Sequence, residues 1–124
     1  MRGIVAKLPD WVVPVAATAL AFALRAEGAS RFWINADEGI YYAVASAPTW
    51  GERWSAIAGN AHPPLHYLLL VLIRSFTEDA QWLRAPSVLF GTLAVPIAYA
   101  LVRELAGRAA GGIAAWLLAL SPGA

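Results

Sequence analysis

Apolar and polar positions fall in long blocks along this chain. Three windows, 11–24, 85–102 and 109–124, contain no Asp, Glu, Lys or Arg and are mostly apolar. A helix rises about 1.5 Å per residue and must cross about 30 Å of hydrocarbon, which takes roughly 17–25 residues. Window 85–102 is long enough as it stands. Window 109–124 is long enough once Gly107 and the stem of Arg108 join it, and 11–24 once Leu8 and Pro9 extend it and Arg25 snorkels outward. The pattern predicts an all-α membrane protein. Its three transmembrane helices lie at about 9–25, 85–102 and 107–122, and one long outer loop, 26–84, carries juxtamembrane helices.

A fourth stretch, 54–73, also lacks formal charge. Asn60, His62, Pro63, Pro64 and His66 interrupt it, and its continuous apolar run is only 67–73. That run is too short to span and suits a helix at the interface or packed against the spans. The two prolines suit a helix start, where the missing N–H groups do no harm.

The basic residues agree with three crossings. Arg2 and Lys7 precede the first window, and Arg103 and Arg108 stand between the last two. The positive-inside tendency puts both sites, and so the N-terminus, in the cytoplasm, with loop 26–84 outside a multi-pass cell-membrane protein. A fourth crossing at 67–73 would put the Arg103–Arg108 turn on the wrong side. Arg2 and Lys7 also resemble the start of a cleaved signal peptide, but Ala26-Glu27-Gly28-Ala29 is a poor cleavage site and two more spans follow.

Composition narrows the class further. The chain is 60% apolar and 14% charged, with mean hydropathy +0.58, against about 45–50% and 25% in a soluble domain. Its 11% aromatic content and few charges exclude disorder. The absence of cysteine excludes a disulfide scaffold, a zinc finger and a cysteine nucleophile. A net charge of +1 gives no basis for binding nucleic acid.

The loop is much too long for a connector, since most are about 4–6 residues, and it holds the residues that chemistry needs. Asp37 and Glu38 stand just before a helical stretch carrying Ile40, Tyr41 and Val44. A helix N-terminus favours an ionised carboxylate, and an ionised Asp37 beside a membrane can act as general base for an acceptor hydroxyl. The plainer reading is an N-cap Asp37 with a solvated Glu38. His62 and His66 are four apart, as on a metal-binding helix face, but Pro63 and Pro64 make His62 the cap of the following helix. With no third His and no Cys, no metal site is expected. Arg31, Arg53, Arg74 and Arg84 suit bidentate binding of a lipid phosphate, or, more plainly, snorkelling or pairing with local acids such as Glu52, Glu78 or Asp79. Phe32, Trp33, Tyr41, Tyr42, Trp50, Trp54, Tyr67 and Trp82 suit an aromatic belt at the membrane interface.

In chain order these features are Asp37-Glu38, Tyr41-Tyr42, His62-Pro63-Pro64-Leu65, Leu83-Arg84-Ala85-Pro86-Ser87 and Phe90-Gly91-Thr92-Leu93-Ala94-Val95-Pro96. A Gly107-Arg108 turn and Leu118-Ala119-Leu120-Ser121-Pro122 follow. From Trp11 onward the order and spacing resemble the N-terminal part of a GT-C class integral-membrane glycosyltransferase, of the protein O-mannosyltransferase and lipid A aminoarabinose transferase group. The resemblance implies a polytopic bundle that takes a sugar from a polyprenyl-phosphate donor. The acceptor is a hydroxyl of a glycan, lipid or protein on the outer face. It implies Asp37 as catalytic base, Glu38 as the second acid of the same motif, and Tyr41, His62 and Arg84 on the substrate side. Ala85 stands where the family motif after the arginine has leucine. Family members are much longer and have a second outer loop, so the chain is expected to be a piece of such an enzyme and inactive alone.

The chemistry so implied is an inverting displacement: the acceptor hydroxyl, deprotonated by Asp37, attacks the anomeric carbon and the lipid phosphate leaves. That leaving group needs charge stabilisation rather than a proton, which Arg84 or Arg31 can give. No cofactor is expected, although a divalent ion occurs in the wider class. The alternative is a small non-enzymatic membrane protein that binds lipid or a partner subunit through small-residue faces at Ala94, Ala98, Gly111, Gly112 and Ala115. A secondary transporter is disfavoured because no ionisable residue interrupts a span.

Overall fold

The computed structural model describes residues 8–31 and 35–121. Among them there is no strand. The helices are α1 (Val12–Arg31), α2 (Ala36–Ser46), α3 (Trp50–Ala58), α4 (Pro64–Arg74), a 3-10 turn at Ala80–Arg84, α5 (Ala85–Ala106) and α6 (Arg108–Leu120). The chain divides into two compact units, Met1–Ser30 with Ser87–Ala124, and Arg31–Pro86.

Two stretches, Val12–Arg31 and Ala80–Ala106, are long and apolar enough to cross a membrane. The third expected span is shorter. α6 has 13 residues, about 20 Å of rise, and Pro122, near its expected end, lies outside the described residues. α1 is also displaced from expectation: Leu8 and Pro9 precede it, and it runs past Arg25 to Arg31. α5 continues through Arg103 and Glu104 to Ala106 instead of stopping near 102.

In the first unit α5 runs antiparallel to both α1 and α6. The unit's buried seam is Ala17 and Ala21 of α1, Val95 and Tyr99 of α5, and Ala115 and Ala119 of α6. Each helix thus contributes residues four apart, which lie one above the other on one face. Most are small, so the backbones approach closely. Large apolar side chains such as Val15, Phe22, Leu93, Ile97, Ile113 and Leu117 are exposed. That distribution, small inside and large outside, suits hydrocarbon rather than water. The small residues Gly111 and Ala115 are therefore used within the chain.

Polar groups fasten both ends of this unit. Asp10 takes ion pairs from Arg103 at 3.1 Å and Arg108 at 2.7 Å, and its backbone carbonyl accepts the Tyr99 hydroxyl at 3.1 Å. At the opposite end Arg25 donates to the carbonyls of Leu118 at 3.0 Å and Ala119 at 3.4 Å. The last carbonyls of a helix lack intrahelical donors. Arg25 therefore turns to α6 instead of snorkelling outward.

The second unit is built on α2. Val44 packs with Ile57 of α3 and Tyr67 of α4, and Ala45 packs with Leu70 of α4 and Leu83 of the 3-10 turn. Thr49 begins α3 with a capping box, its hydroxyl accepting from the Glu52 N–H while Glu52 accepts from the Thr49 N–H. Pro63 and Pro64 open α4 as expected, with Pro64 inside the first turn.

Candidate functional site

The site is organised by the first two turns of α2. Its N-cap is Asn35, whose side-chain oxygen accepts the Glu38 N–H at 2.9 Å, while Glu38 Oε2 accepts the Asn35 N–H at 3.1 Å. Asp37 is therefore not the cap. It lies in the first turn, exposed, with no hydrogen bond or ion pair to another described residue.

Glu38, expected to be solvated, is instead engaged. Its Oε1 accepts Arg84 Nε at 2.7 Å and its Oε2 accepts Arg84 Nη2 at 2.7 Å, with the side chains 29% and 16% exposed. This side-on, two-bond geometry is the strong form of an arginine–carboxylate pair. The Arg84 hydrogen bonds hold the Glu38 carboxyl below its ordinary pKa; burial opposes them, and the Asn35 N–H and the Arg84 charge add to them. Of the two neighbouring acids, Glu38 has its lone pairs occupied and Asp37 has them open.

Tyr41 stands one turn further along α2. Its ring centroid is 5.7 Å from His62, 5.2 Å from His66 in an edge-on contact and 5.5 Å from Tyr67. His62 precedes α4 without capping it; Pro63 holds the cap position and no side chain bonds the helix start. Tyr67 is fully buried, and its hydroxyl meets no partner among the described residues. Burial first, and then Tyr41, pushes its phenol above the ordinary tyrosine pKa.

The sequence-predicted residues are thus brought together as two pairs, each with one member on α2, Glu38 with Arg84 of the 3-10 turn and Tyr41 with His62, and Asp37 lies beside the first pair. Among the described residues no three His, Asp or Glu converge as metal ligands. Arg53 and Arg74 meet no local acid among the described residues, contrary to expectation. Arg84 finds an acid 46 residues away, Arg53 donates to the Ala47 carbonyl at 2.7 Å, and Arg74 donates to Ser46, Tyr42 and Thr77. The aromatic belt also divides. Tyr41 and Tyr67 pack inside the second unit, Trp50, Trp54 and Trp82 are exposed, and Phe32 and Trp33 lie outside the described residues. Sequence reasoning missed Asn35 and Ser46; the Asn-x-x-Glu spacing of a capping box signals the first, and no local pattern signals the second. Comparison with family models, with curated proteins and with solved structures finds no match for this chain.

Proposed function

We propose that this chain belongs to a membrane glycosyltransferase that moves a sugar from a polyprenyl-phosphate donor to an acceptor hydroxyl on the outer face, with Asp37 as general base. The observation that carries the reading is the division of labour between adjacent acids. Arg84 and the helix cap fix Glu38, and Asp37 is left exposed in the positive field of a helix start. Such a carboxylate is open to solvent and can reach a substrate proton. Tyr41 of α2 and His62, just before α4, stand with ring centroids 5.7 Å apart and give an aromatic and imidazole face for the acceptor or the sugar.

In this reading Asp37 takes the acceptor proton as the oxygen attacks the anomeric carbon. The sugar–phosphate bond breaks on the opposite side, and the lipid phosphate departs as an anion. The N-terminus is cytoplasmic and residues 26–84 lie outside. The test is Asp37→Asn in the full enzyme, which keeps shape and hydrogen bonding while removing basicity. Transfer falls by roughly 10²–10⁴ with membrane insertion and helix content unchanged. A transfer rate equal to that of the parent overturns the assignment, and loss of folded protein shows that Asp37 serves structure.

A further inference from the structure

We infer that Arg74, Ser46 and Tyr42 form a phosphate-binding site between α2 and α4. The inference does not rest on the transferase reading, since none of the three residues belongs to the Asp37–Glu38–Arg84 group.

Arg74 is a half-buried cation that meets no carboxylate among the described residues. Its Nε donates to Ser46 Oγ at 2.8 Å, its Nη2 to the Tyr42 hydroxyl at 3.2 Å and its Nη1 to the Thr77 carbonyl at 3.0 Å. Its Cζ also stands 4.8 Å over the centroid of the Tyr42 ring. Every partner is neutral. Arg84, Arg103 and Arg108 each hold a carboxylate instead. The acids nearest Arg74 in sequence do not reach it. Asp79 accepts the Gln81 N–H at the start of the 3-10 turn, and Glu78 is exposed. A charge withdrawn from water without a counter-ion is unfavourable, and an anion from outside the chain would remove that cost.

The identity of the partners points to the kind of anion. Arg25 and Arg53 donate to backbone carbonyls, which offer nothing back. Arg74 donates to two hydroxyls, and a hydroxyl that accepts a hydrogen bond keeps its own proton to give. Neither Ser46 nor Tyr42 spends that proton on an acceptor among the described residues. The two are four apart on α2 and so share a face. A guanidinium has five N–H groups, of which Ser46, Tyr42 and Thr77 take one each. Two N–H and two O–H donors therefore remain around one fixed positive charge. A phosphate monoester offers three terminal oxygens to such a set, and a diester two in a tetrahedral spread, whereas the two oxygens of a carboxylate lie in one plane with its carbon. Arginine in the last turn of a helix is favourable by itself and accounts for the Thr77 contact. It does not account for the two hydroxyls.

The test uses the whole chain in a maltoside detergent, which carries no phosphate. Calorimetric titrations employ inorganic phosphate, phosphatidylglycerol and a short polyisoprenyl phosphate. At least one of them is expected to bind saturably, one per chain. Arg74→Gln abolishes the binding, Arg74→Lys keeps the charge but loses the fork and weakens it roughly tenfold, and Tyr42→Phe and Ser46→Ala each weaken it about three- to tenfold. Tyr42→Phe retains the ring under the guanidinium and Ser46→Ala favours the helix, so both keep the parent's helix content by circular dichroism. Equal affinity for all three probes identifies free phosphate as the ligand. Preference for phosphatidylglycerol identifies a membrane head group, and preference for the polyisoprenyl ester identifies a lipid-linked monoester. Absence of saturable binding for all three, or binding that the four variants keep within twofold, overturns the site.

Discussion

Glu38 accepts three hydrogen bonds, two from Arg84 and one from the Asn35 N–H, so its ionised form is worth more in the folded chain than in the unfolded one. Its folded pKa lies below the ordinary value of 4.5. The stabilisation is therefore complete above that value and is lost as pH falls through the lower, folded value. Glu38→Gln should lower stability by about 1 kcal/mol at pH 7, the scale of a partly exposed pair. The gap between parent and variant should stay constant from pH 7 to about pH 5 and shrink below about 4.5. Thermal melts across that range check it, and a gap that persists unchanged to pH 3 contradicts it. Tyr67 tests the opposite sign. Its hydroxyl is buried without a partner among the described residues, and such a group costs about 1–3 kcal/mol. Tyr67→Phe should leave stability unchanged or raise it by up to about 1 kcal/mol; a loss above that shows that the hydroxyl has a partner. These residue-level facts divide by legibility. Asn and Asp rank alike as caps, so the cap falls on Asp37 unless the reciprocal Glu38 is weighed, three residues after Asn35. Nothing local connects Glu38 to Arg84 across 46 residues; their pairing comes from α2 packing near the 3-10 turn.

At the scale of elements, the turn from α5 to α6 is one residue, Gly107, with φ of +90°. That backbone conformation is open to glycine and strained for other residues, and the Gly107-Arg108 turn is readable in the sequence for that reason. The crossing one turn later is not. A Cβ at Gly111 would come within 2.9 Å of the Tyr99 carbonyl oxygen and 3.1 Å of Arg103 Cβ. Both belong to α5 rather than to a flexible side-chain end. The small residues of α6 are legible as a contact face, but the sequence alone does not choose between a partner subunit and the chain's own α5. Gly111→Ala should force the two helices apart and cost about 1–3 kcal/mol, while Gly112→Ala, whose nearest contact is a Val13 methyl at 3.5 Å, should be tolerated. Equal melting temperatures for the two variants would contradict the close crossing. α3 is the element the hydrophobic blocks hide, because its exposed Trp50 and Trp54 read as belt residues. The Thr49-x-x-Glu52 capping box marks its start, and Thr49→Ala should cost about 1 kcal/mol.

At the scale of the whole molecule, the blocks of apolar sequence predict three crossings, and two stretches have the length for one. What decides the third is which side of the membrane each end of α6 faces. Asp10 gathers Arg103 and Arg108 beside the start of α1, so the basic residues 103 and 108 share one end of the first unit with the segment that follows Lys7. Arginine and lysine counts govern orientation and acids contribute little, so the ion pairs do not weaken the cytoplasmic assignment of that end. The chain contains no cysteine, which makes each introduced thiol unique. Trp50→Cys, Ala106→Cys and Ser121→Cys place one thiol in the second unit, one at the end of α5 and one just past α6. With an impermeant maleimide added outside intact cells, position 50 should label and position 106 should not, and both should label after permeabilisation. Labelling of 106 from outside would reverse the topology. Position 121 then separates the two readings of α6. Labelling from outside shows that its 13 residues, about 20 Å, cross with local thinning of the bilayer at a modest cost. Labelling only after permeabilisation shows two crossings, with α6 returning to the side on which it began.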